Sequence, residues 1–192
     1  MTDSQTDIQL TGEKVAFLVA LEGVEQVELT EPWKAVQQAG GEPVLLSTKE
    51  GSVQAFNHLE AADTFEVDVV VDHASPSEYA ALVLPGGVAN PDALRTSRSA
   101  VSFVGQFAAS VRPVAAICHA PWTLVEADAV RGRRMTSWPS LQTDLRNAGA
   151  EWVDEEVVVD RSGPGPLITS RQPDDLPAFS RTLLEVLAEA RS

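Results

Sequence analysis

The chain has 192 residues, of which 44% are hydrophobic and 22% charged, values typical of a globular domain with a sizeable core. Its 14 basic and 28 acidic residues leave a formal net charge of −14, which would repel nucleic acid and anionic membranes and so argues against both as partners. The single cysteine excludes an intramolecular disulfide, and the polar N-terminus lacks the apolar run of a signal peptide, so we expect a cytoplasmic protein.

Strand and helix patterns alternate along the chain with short connections. We expect a flexible tail over residues 1–12 and a single domain over 13–192. Lys14 to Leu21 is a near-continuous apolar run, typical of a strand buried on both faces, and Pro32 is predicted to open a helix that Gly40 ends. Further strands are predicted at 43–47, 67–72, 81–84, 114–117 and 135–136, a hairpin-like pair at 156–160 and 167–170, and helices at 99–111, 120–127, 140–148 and 174–190. This alternation predicts an α/β protein, with helices on both faces of a mostly parallel sheet.

Cys118 is the most informative residue, because it falls between the predicted strand Val114–Ile117 and the helix that follows. A helix N-terminus and the free backbone N–H groups of such a turn favour the thiolate, lower the thiol pKa and can stabilise an oxyanion. The adjacent His119 would then be a general base or an ion-pair partner. A buried structural thiol beside a chance histidine is the alternative, and spacing alone favours neither.

Two glycines, Gly86 and Gly87, follow the strand predicted at 81–84. Glycines allow a positive φ and a close backbone approach, so consecutive N–H groups can point at one anion. A tight turn that needs glycine only for steric reasons is the alternative. Because the carboxyl ends of parallel strands meet at one edge of a sheet, we expect this turn to lie near Cys118.

Three glutamates, Glu22, Glu25 and Glu28, follow the first strand at intervals of three. In a helix they would lie on one face, although acidic residues early in a helix are often simply solvated. A carboxyl held against the thiol could share its proton or bond to an oxidised sulfur. The sequence leaves open which glutamate reaches the thiol.

Four strings in this order resemble the PfpI family, a group of intracellular cysteine hydrolases and stress proteins in the class I glutamine-amidotransferase-like superfamily. They are E-x-x-E-L-x-x-P at 25–32, LPGG at 84–87, AICHAP at 116–121 and NAGAEWVD at 147–154. The resemblance covers roughly residues 13 to 190. It implies a flavodoxin-like three-layer sandwich, a strained nucleophile elbow, and a homodimer that can assemble further.

By position, the resemblance implies that Cys118 is the nucleophile, with His119 beside it and Glu28 in contact with the thiol; Glu25 is the fallback. The backbone N–H groups of Gly86, Gly87 and His119, in the two turns described above, are the candidates for binding an oxyanion.

Three further residues are secondary candidates. In peptidase-like hexameric relatives, an acidic residue after the double glycine reaches the histidine of a neighbouring subunit, and Asp92 matches it if one residue is inserted. Trp138 replaces a tyrosine found in some relatives. With Trp122 it would wall the site, and core packing is the alternative for both.

Activities of such relatives include peptide hydrolysis, hydration of methylglyoxal and repair of glycated side chains, all beginning with thiolate attack on a carbonyl carbon. We favour small carbonyl compounds or their adducts over intact proteins, because no insertion is long enough to build a substrate cleft. One alternative is a redox sensor in which oxidation of Cys118 changes a partner contact, and another is an inactive structural oligomer. We expect no cofactor and no metal, because His58, His73 and His119 lack ligand spacing.

Overall fold

A seven-stranded sheet forms the centre of the structure, a computed structural model that describes residues 8–190. The strands are β1 Lys14–Leu18, β2 Glu22–Glu25, β3 Glu42–Ser47, β4 Ser52–Asn57, β5 Glu60–Glu66, β6 Val69–Val70, β7 Ala81–Leu84, β8 Val114–Ile117, β9 Arg134–Met135, β10 Glu151–Trp152, β11 Val157–Asp160 and β12 Leu167–Ser170. The α-helices are α1 Gln26–Gln38, α2 Ala89–Leu94, α3 Arg98–Ala108, α4 Pro121–Glu126, α5 Gln142–Asn147 and α6 Leu176–Glu189. Short 3-10 helices lie at Val71–His73, Pro76–Glu78, Pro139–Leu141 and Pro173–Asp175.

The central sheet has the strand order β11-β12-β8-β7-β1-β3-β6 and is parallel except for β11, which pairs antiparallel with β12. The hairpin-like pair predicted at 156–170 is therefore confirmed. Strands β7 and β8 are neighbours, with Leu84 opposite Ala116, so the turns after them leave the sheet side by side. A three-stranded sheet of order β2-β4-β5 and a two-stranded sheet of β9 and β10 complete the described fold.

Both faces of the central sheet are buried, which explains its uniformly apolar strands. Alternate residues of β1 point to opposite cores: Ala16 and Leu18 pack into one, and Val15 and Phe17 into the other. The first core is closed by apolar residues of α3, α4 and α5, and the second by residues of α1 and α6. The predicted α/β sandwich, with helices on both faces, is confirmed.

Two predicted strands are shorter than expected. β1 ends at Leu18 rather than Leu21, and the backbone N–H of Ala20 donates to the side chain of Asn90 at 2.7 Å rather than to a neighbouring strand. The strand predicted at 67–72 is reduced to β6, because the chain turns into a 3-10 helix at Val71.

The segment after β1 differs most from the prediction. Helix α1 begins at Gln26, so Pro32 lies inside it and leaves the carbonyl of Glu28 without its helical donor. Since residues 22–25 form strand β2, the three glutamates do not share a helical face. The hairpin of β4 and β5 and helix α2 were also not predicted.

The predicted tail packs against the domain over part of its length. Residues 1–7 lie outside the described residues. Leu10 is fully buried, and its N–H donates to the carbonyl of Ala39 at 2.6 Å, so a tail over residues 1–12 is wrong for this part. Within residues 8–190, no helix has the length and apolarity needed to cross a membrane.

Candidate active site

Cys118 occupies a strained turn between β8 and α4. Its φ of 63° lies in the left-handed region, which is costly for a residue with a Cβ. Backbone bonds hold the turn on both sides: the N–H of Cys118 donates to the carbonyl of Ser170 at 3.1 Å, and its carbonyl accepts from Trp138 at 2.8 Å. The thiol is thereby presented at the carboxyl edge of the sheet, with a relative exposure of 6%.

His119 lies beside the thiol and is also largely buried. Its Nδ1 is 3.1 Å from Cys118 Sγ. Burial lowers the pKa of His119 to about 4, so the imidazole is neutral at pH 7 and is not an ion-pair partner. The ring centroids of Trp122 and Trp138 lie 5.4 Å and 5.6 Å from that of His119, so both tryptophans contact the site residue they were predicted to wall.

Glu28 is the glutamate that reaches the elbow. It is fully buried, and its Oε2 accepts a hydrogen bond from the Gly86 N–H at 2.9 Å. Oε1 has no hydrogen bond of good geometry among residues 8–190. Burial, helped by the charge of Glu25, raises the pKa of Glu28 to about 8, although hydrogen bonds with the thiol and with the N–H groups of Gly86 and Gly87 partly oppose the shift. Glu28 is therefore protonated at neutral pH.

The other two glutamates lie farther out. Glu25 is half-buried, and its carboxylate accepts from the backbone N–H of His58 at 3.1 Å. It acts on Glu28 through its charge. Glu22 is exposed.

The direction predicted for the thiol pKa is wrong. Burial raises the pKa of Cys118, and the charge of the Glu28 carboxylate raises it further, while the N–H groups of Gly87 and His119 lower it. Helix α4 has only six residues, too short for its dipole to offset burial. Because the thiol and the Glu28 carboxyl interact directly, they lose protons as a pair.

The double glycine is required by close approach as well as by turn geometry. A Cβ on Gly86 would lie 2.7 Å from the Cβ of Cys118, and one on Gly87, whose φ is 81°, would overlap the carbonyl oxygen of Gly23. The Gly86 N–H is already bonded to Glu28. The Gly87 N–H faces both the thiol and the carboxyl, and oxyanion binding by this loop stays a prediction.

Asp92 is not joined to the site within this chain. It is exposed on α2 and lines a groove of about 720 Å³ with Arg95, Arg98 and Glu126. No hydrogen bond or ion pair connects it to His119 among residues 8–190. Its predicted role would need a second subunit and stays a prediction.

Sequence reasoning missed Asn90 altogether. Its side chain is fully buried, and its amide donates to the carbonyls of Pro85 at 2.9 Å and Gly86 at 3.0 Å while accepting from the N–H of Ala20. An asparagine three residues after a double glycine is the available signal, because asparagine amides readily bond to backbone in turns. Within the same described part of the chain, no cluster of three or more His, Cys, Asp and Glu is arranged to hold a metal.

The chain is similar in sequence and in fold to known proteins. The chain is 42% identical over 174 residues to the protein/nucleic acid deglycase 2 of Escherichia coli strain K12, covering 91% of this chain and 97% of that protein. It is 40% identical over 176 residues to general stress protein 18 of Bacillus subtilis strain 168, covering 92% and 98%. The crystal structure of Drosophila melanogaster DJ-1beta superposes with a TM-score of 0.80 at 25% identity, covering 92% and 90%. The sequence model of the DJ-1/PfpI family matches residues 13–186, and the chain belongs to that family.

Proposed function

We propose that the protein is a cysteine-dependent hydrolase of the deglycase or glyoxalase type that acts on small reactive carbonyl compounds and on their adducts with amines. The observation that carries the proposal is the contact of the Cys118 thiol with His119 Nδ1 at 3.1 Å and with a buried, protonated Glu28. Because Cys118 and His119 are only 6% and 8% exposed, a small carbonyl or an extended side chain fits this site better than a folded protein surface. Relatives named deglycase and general stress protein support the same class.

The chemistry starts when Sγ bonds to the aldehyde carbon of a 2-oxoaldehyde and the thiol proton moves to the carbonyl oxygen, giving a hemithioacetal. In an amine adduct, the C–S bond replaces the C–N bond, and the free amine leaves with the thiol proton. A proton then moves from the sulfur-bearing carbon to the adjacent ketone carbon. The sulfur-bearing carbon is oxidised to the thioester carbonyl and the ketone carbon is reduced to an alcohol, which yields a 2-hydroxy thioester. Water cleaves the thioester, releasing the acid and restoring the thiol, so no external oxidant is needed.

The site residues have separate parts in this sequence. The Glu28–Cys118 pair with one proton missing provides the nucleophile and keeps a proton beside it. The N–H groups of Gly87 and His119, which face the sulfur, stabilise negative charge on the substrate oxygen. The neutral His119 relays protons at Nδ1, and the two tryptophans limit access of water.

Steady-state conversion of methylglyoxal to lactate, and of a methylglyoxal-modified arginine peptide to the free peptide, tests the proposal. We expect the protein to turn over at least one of these substrates and Cys118→Ser to abolish turnover with an unchanged circular dichroism spectrum. Turnover that persists in Cys118→Ser would move the chemistry elsewhere. A wild-type protein inactive on both substrates contradicts the proposal.

A redox sensor is the second candidate. It is favoured by a sole cysteine flanked by two N–H groups and a protonated carboxyl, which can hold the oxygens of an oxidised sulfur. One peroxide converts the thiolate to sulfenate and a second converts it to sulfinate, each releasing water. After mild peroxide, intact-mass analysis should show two added oxygens on Cys118 in native protein. Oxidation confined to Met1 and Met135, or none, contradicts this role.

If both tests fail, the third possibility remains, namely an inactive structural oligomer.

We also propose a cytoplasmic homodimer capable of further assembly. The single cysteine suits a reducing compartment, and Asp92 is exposed on α2, where a second subunit can reach it. Sedimentation equilibrium measures the assembly.

Asp92→Asn should lower turnover if a neighbouring subunit supplies this residue to the site. Unchanged turnover would show that Asp92 has no part in the site.

A further inference from the structure

We propose that Asn90 is a positioning residue for the reactive cysteine: its side-chain amide sets the orientation of the two peptide units whose N–H groups face the Glu28–Cys118 pair. This inference rests on the proposed role of Cys118 as the nucleophile. The side-chain hydrogen bonds of Asn90 go to Ala20, Pro85 and Gly86, so its effect on the Glu28–Cys118 pair passes through the glycine loop.

The argument begins with the hydrogen-bonding capacity of an amide. Asn90 has two N–H donors and one acceptor oxygen that are used on three backbone groups: Nδ2 donates to the carbonyls of Pro85 and Gly86, and Oδ1 accepts from the N–H of Ala20. The Ala20 N–H can only donate and the two carbonyls can only accept. Only one orientation of the amide satisfies all three, so the side chain is locked between the end of β1 and the glycine loop.

Because a peptide unit is planar, holding its carbonyl group also fixes the direction of its N–H group. The peptide units Pro85–Gly86 and Gly86–Gly87 are trans, so the carbonyl and the N–H of each unit point in opposite directions. With both carbonyls held toward Asn90, both N–H groups point away from it. The Gly86 N–H then meets Glu28 Oε2 at 2.9 Å, and the Gly87 N–H faces the thiol and the carboxyl.

These two N–H groups stabilise negative charge on the pair, since both favour ionised Glu28 and the Gly87 N–H also favours the thiolate. The other titratable groups that face the pair are Glu25, through its charge on Glu28, and His119, through its contact with the sulfur. Neither bonds to Asn90. Loss of the Asn90 donors should therefore change the ionisation of the pair without changing its contacts with these two titratable neighbours.

Alkylation of Cys118 by iodoacetamide between pH 6 and pH 10, followed by intact mass, tests this. Asn90→Asp keeps an acceptor for Ala20 but replaces the donor with an oxygen that repels both carbonyls. We expect its alkylation midpoint to rise by about one pH unit, because the two N–H groups lose their alignment and the new carboxylate adds negative charge near the pair. The uncharged variant Asn90→Ser isolates the loss of alignment. With methylglyoxal, kcat should fall more than KM changes.

Asp160→Asn is the matched control. Asp160 forms a buried ion pair with Arg133 and lies opposite Leu167, at the far end of β12 from Ser170, whose carbonyl bonds to Cys118. Its loss should lower stability and leave the alkylation midpoint in place. An equal shift in both variants would mean that general loosening, not Asn90, sets the profile, and would overturn the proposal.

Asn90→Ser covers the case in which Asn90→Asp does not fold. A hydroxyl has one hydrogen and can hold only one of the two carbonyls, so we expect a smaller shift in the same direction. A folded Asn90 variant with the wild-type midpoint contradicts the inference. If the wild type turns over no carbonyl substrate but the midpoint still shifts, the proposed function fails and the positioning role stands.

Discussion

At the residue scale, the site is a pair rather than a lone cysteine. Burial raises the pKa of Glu28 to about 8 and also raises the pKa of the Cys118 thiol, so each group resists ionisation by itself. Losing one proton leaves a single negative charge and one remaining proton in the contact between them. In such coupled acid pairs, each apparent pKa describes the loss of one proton from the two groups together and not from one of them alone.

Substitution of Glu28 separates the contributions of its proton and its charge. Below its pKa of about 8, the Glu28 carboxyl is protonated, carries no charge and can donate to the thiolate. Glu28→Leu removes that donor and leaves a buried thiol, so the alkylation midpoint of Cys118 should rise above that of the wild type. Glu28→Gln keeps a neutral donor and should have a lower midpoint than Glu28→Leu. The measurement is the iodoacetamide rate against pH. Identical midpoints in all three proteins would show that Glu28 does not control the thiol.

At the element scale, the turn after β7 must pass extremely close to other backbone. The left-handed φ of 81° at Gly87 and the overlap that a Cβ would make with the carbonyl of Gly23 restrict this position to glycine. The turn thereby brings the carboxyl ends of β7 and β8 together around Glu28, which α1 supplies from the same side. Three elements distant in sequence thus meet at the thiol and the buried carboxyl.

Gly87→Ala tests this constraint, with Gly12→Ala as its control. Gly12 has a similar φ of 84°, but a Cβ there would meet nothing within 4 Å. The control should lower the free energy of unfolding by about 1–2 kcal/mol, the cost of a left-handed alanine. Gly87→Ala should cost at least about twice as much, or prevent folding, because it adds a clash with backbone. Equal losses in urea unfolding would mean that the close approach does not constrain the loop.

At the scale of the whole molecule, the buried site makes stability depend on pH. Glu28 has a folded pKa of about 8 against an ordinary value of 4.5, so the folded state holds one more proton than the unfolded state between these values. Its contribution to stability therefore falls as pH rises through that window. His119, lowered from 6.5 to about 4, acts in the opposite direction below pH 6.5.

The two effects oppose each other below pH 6.5, and the effect of Glu28 dominates above it. The free energy of unfolding should fall by about 1 kcal/mol between pH 6.5 and pH 8 in the wild type, because Glu28 titrates in the folded state and the remaining titration of unfolded His119 offsets only part of that fall. Glu28→Gln removes the main titrating group, so its free energy of unfolding should no longer fall over the same range. Urea titrations at several pH values measure both. Parallel curves would contradict a buried, neutral Glu28.

Much of this architecture can be read from the chain. Strands buried on both faces, such as β1 and β8, appear as short apolar runs between turn residues, so their number and order are local information. The order of strands and motifs then places the turns after β7 and β8 at one edge of a parallel sheet. The hairpin of β4 and β5 cannot be predicted in this way, because β5 is a polar segment without an apolar strand pattern. It is a strand because it pairs with β4.

The sequence by itself therefore determined the α/β class, the family resemblance and the neighbourhood of Cys118, His119 and the double glycine. Only the tertiary structure decided that Glu28 is fully buried and bonded to the glycine loop, that Asn90 holds this loop, and that burial raises rather than lowers the thiol pKa. The physical reason is that solvation and hydrogen-bond partners come from segments distant in the chain. Periodicity records which face of an element is apolar, but it does not record what that face is buried against.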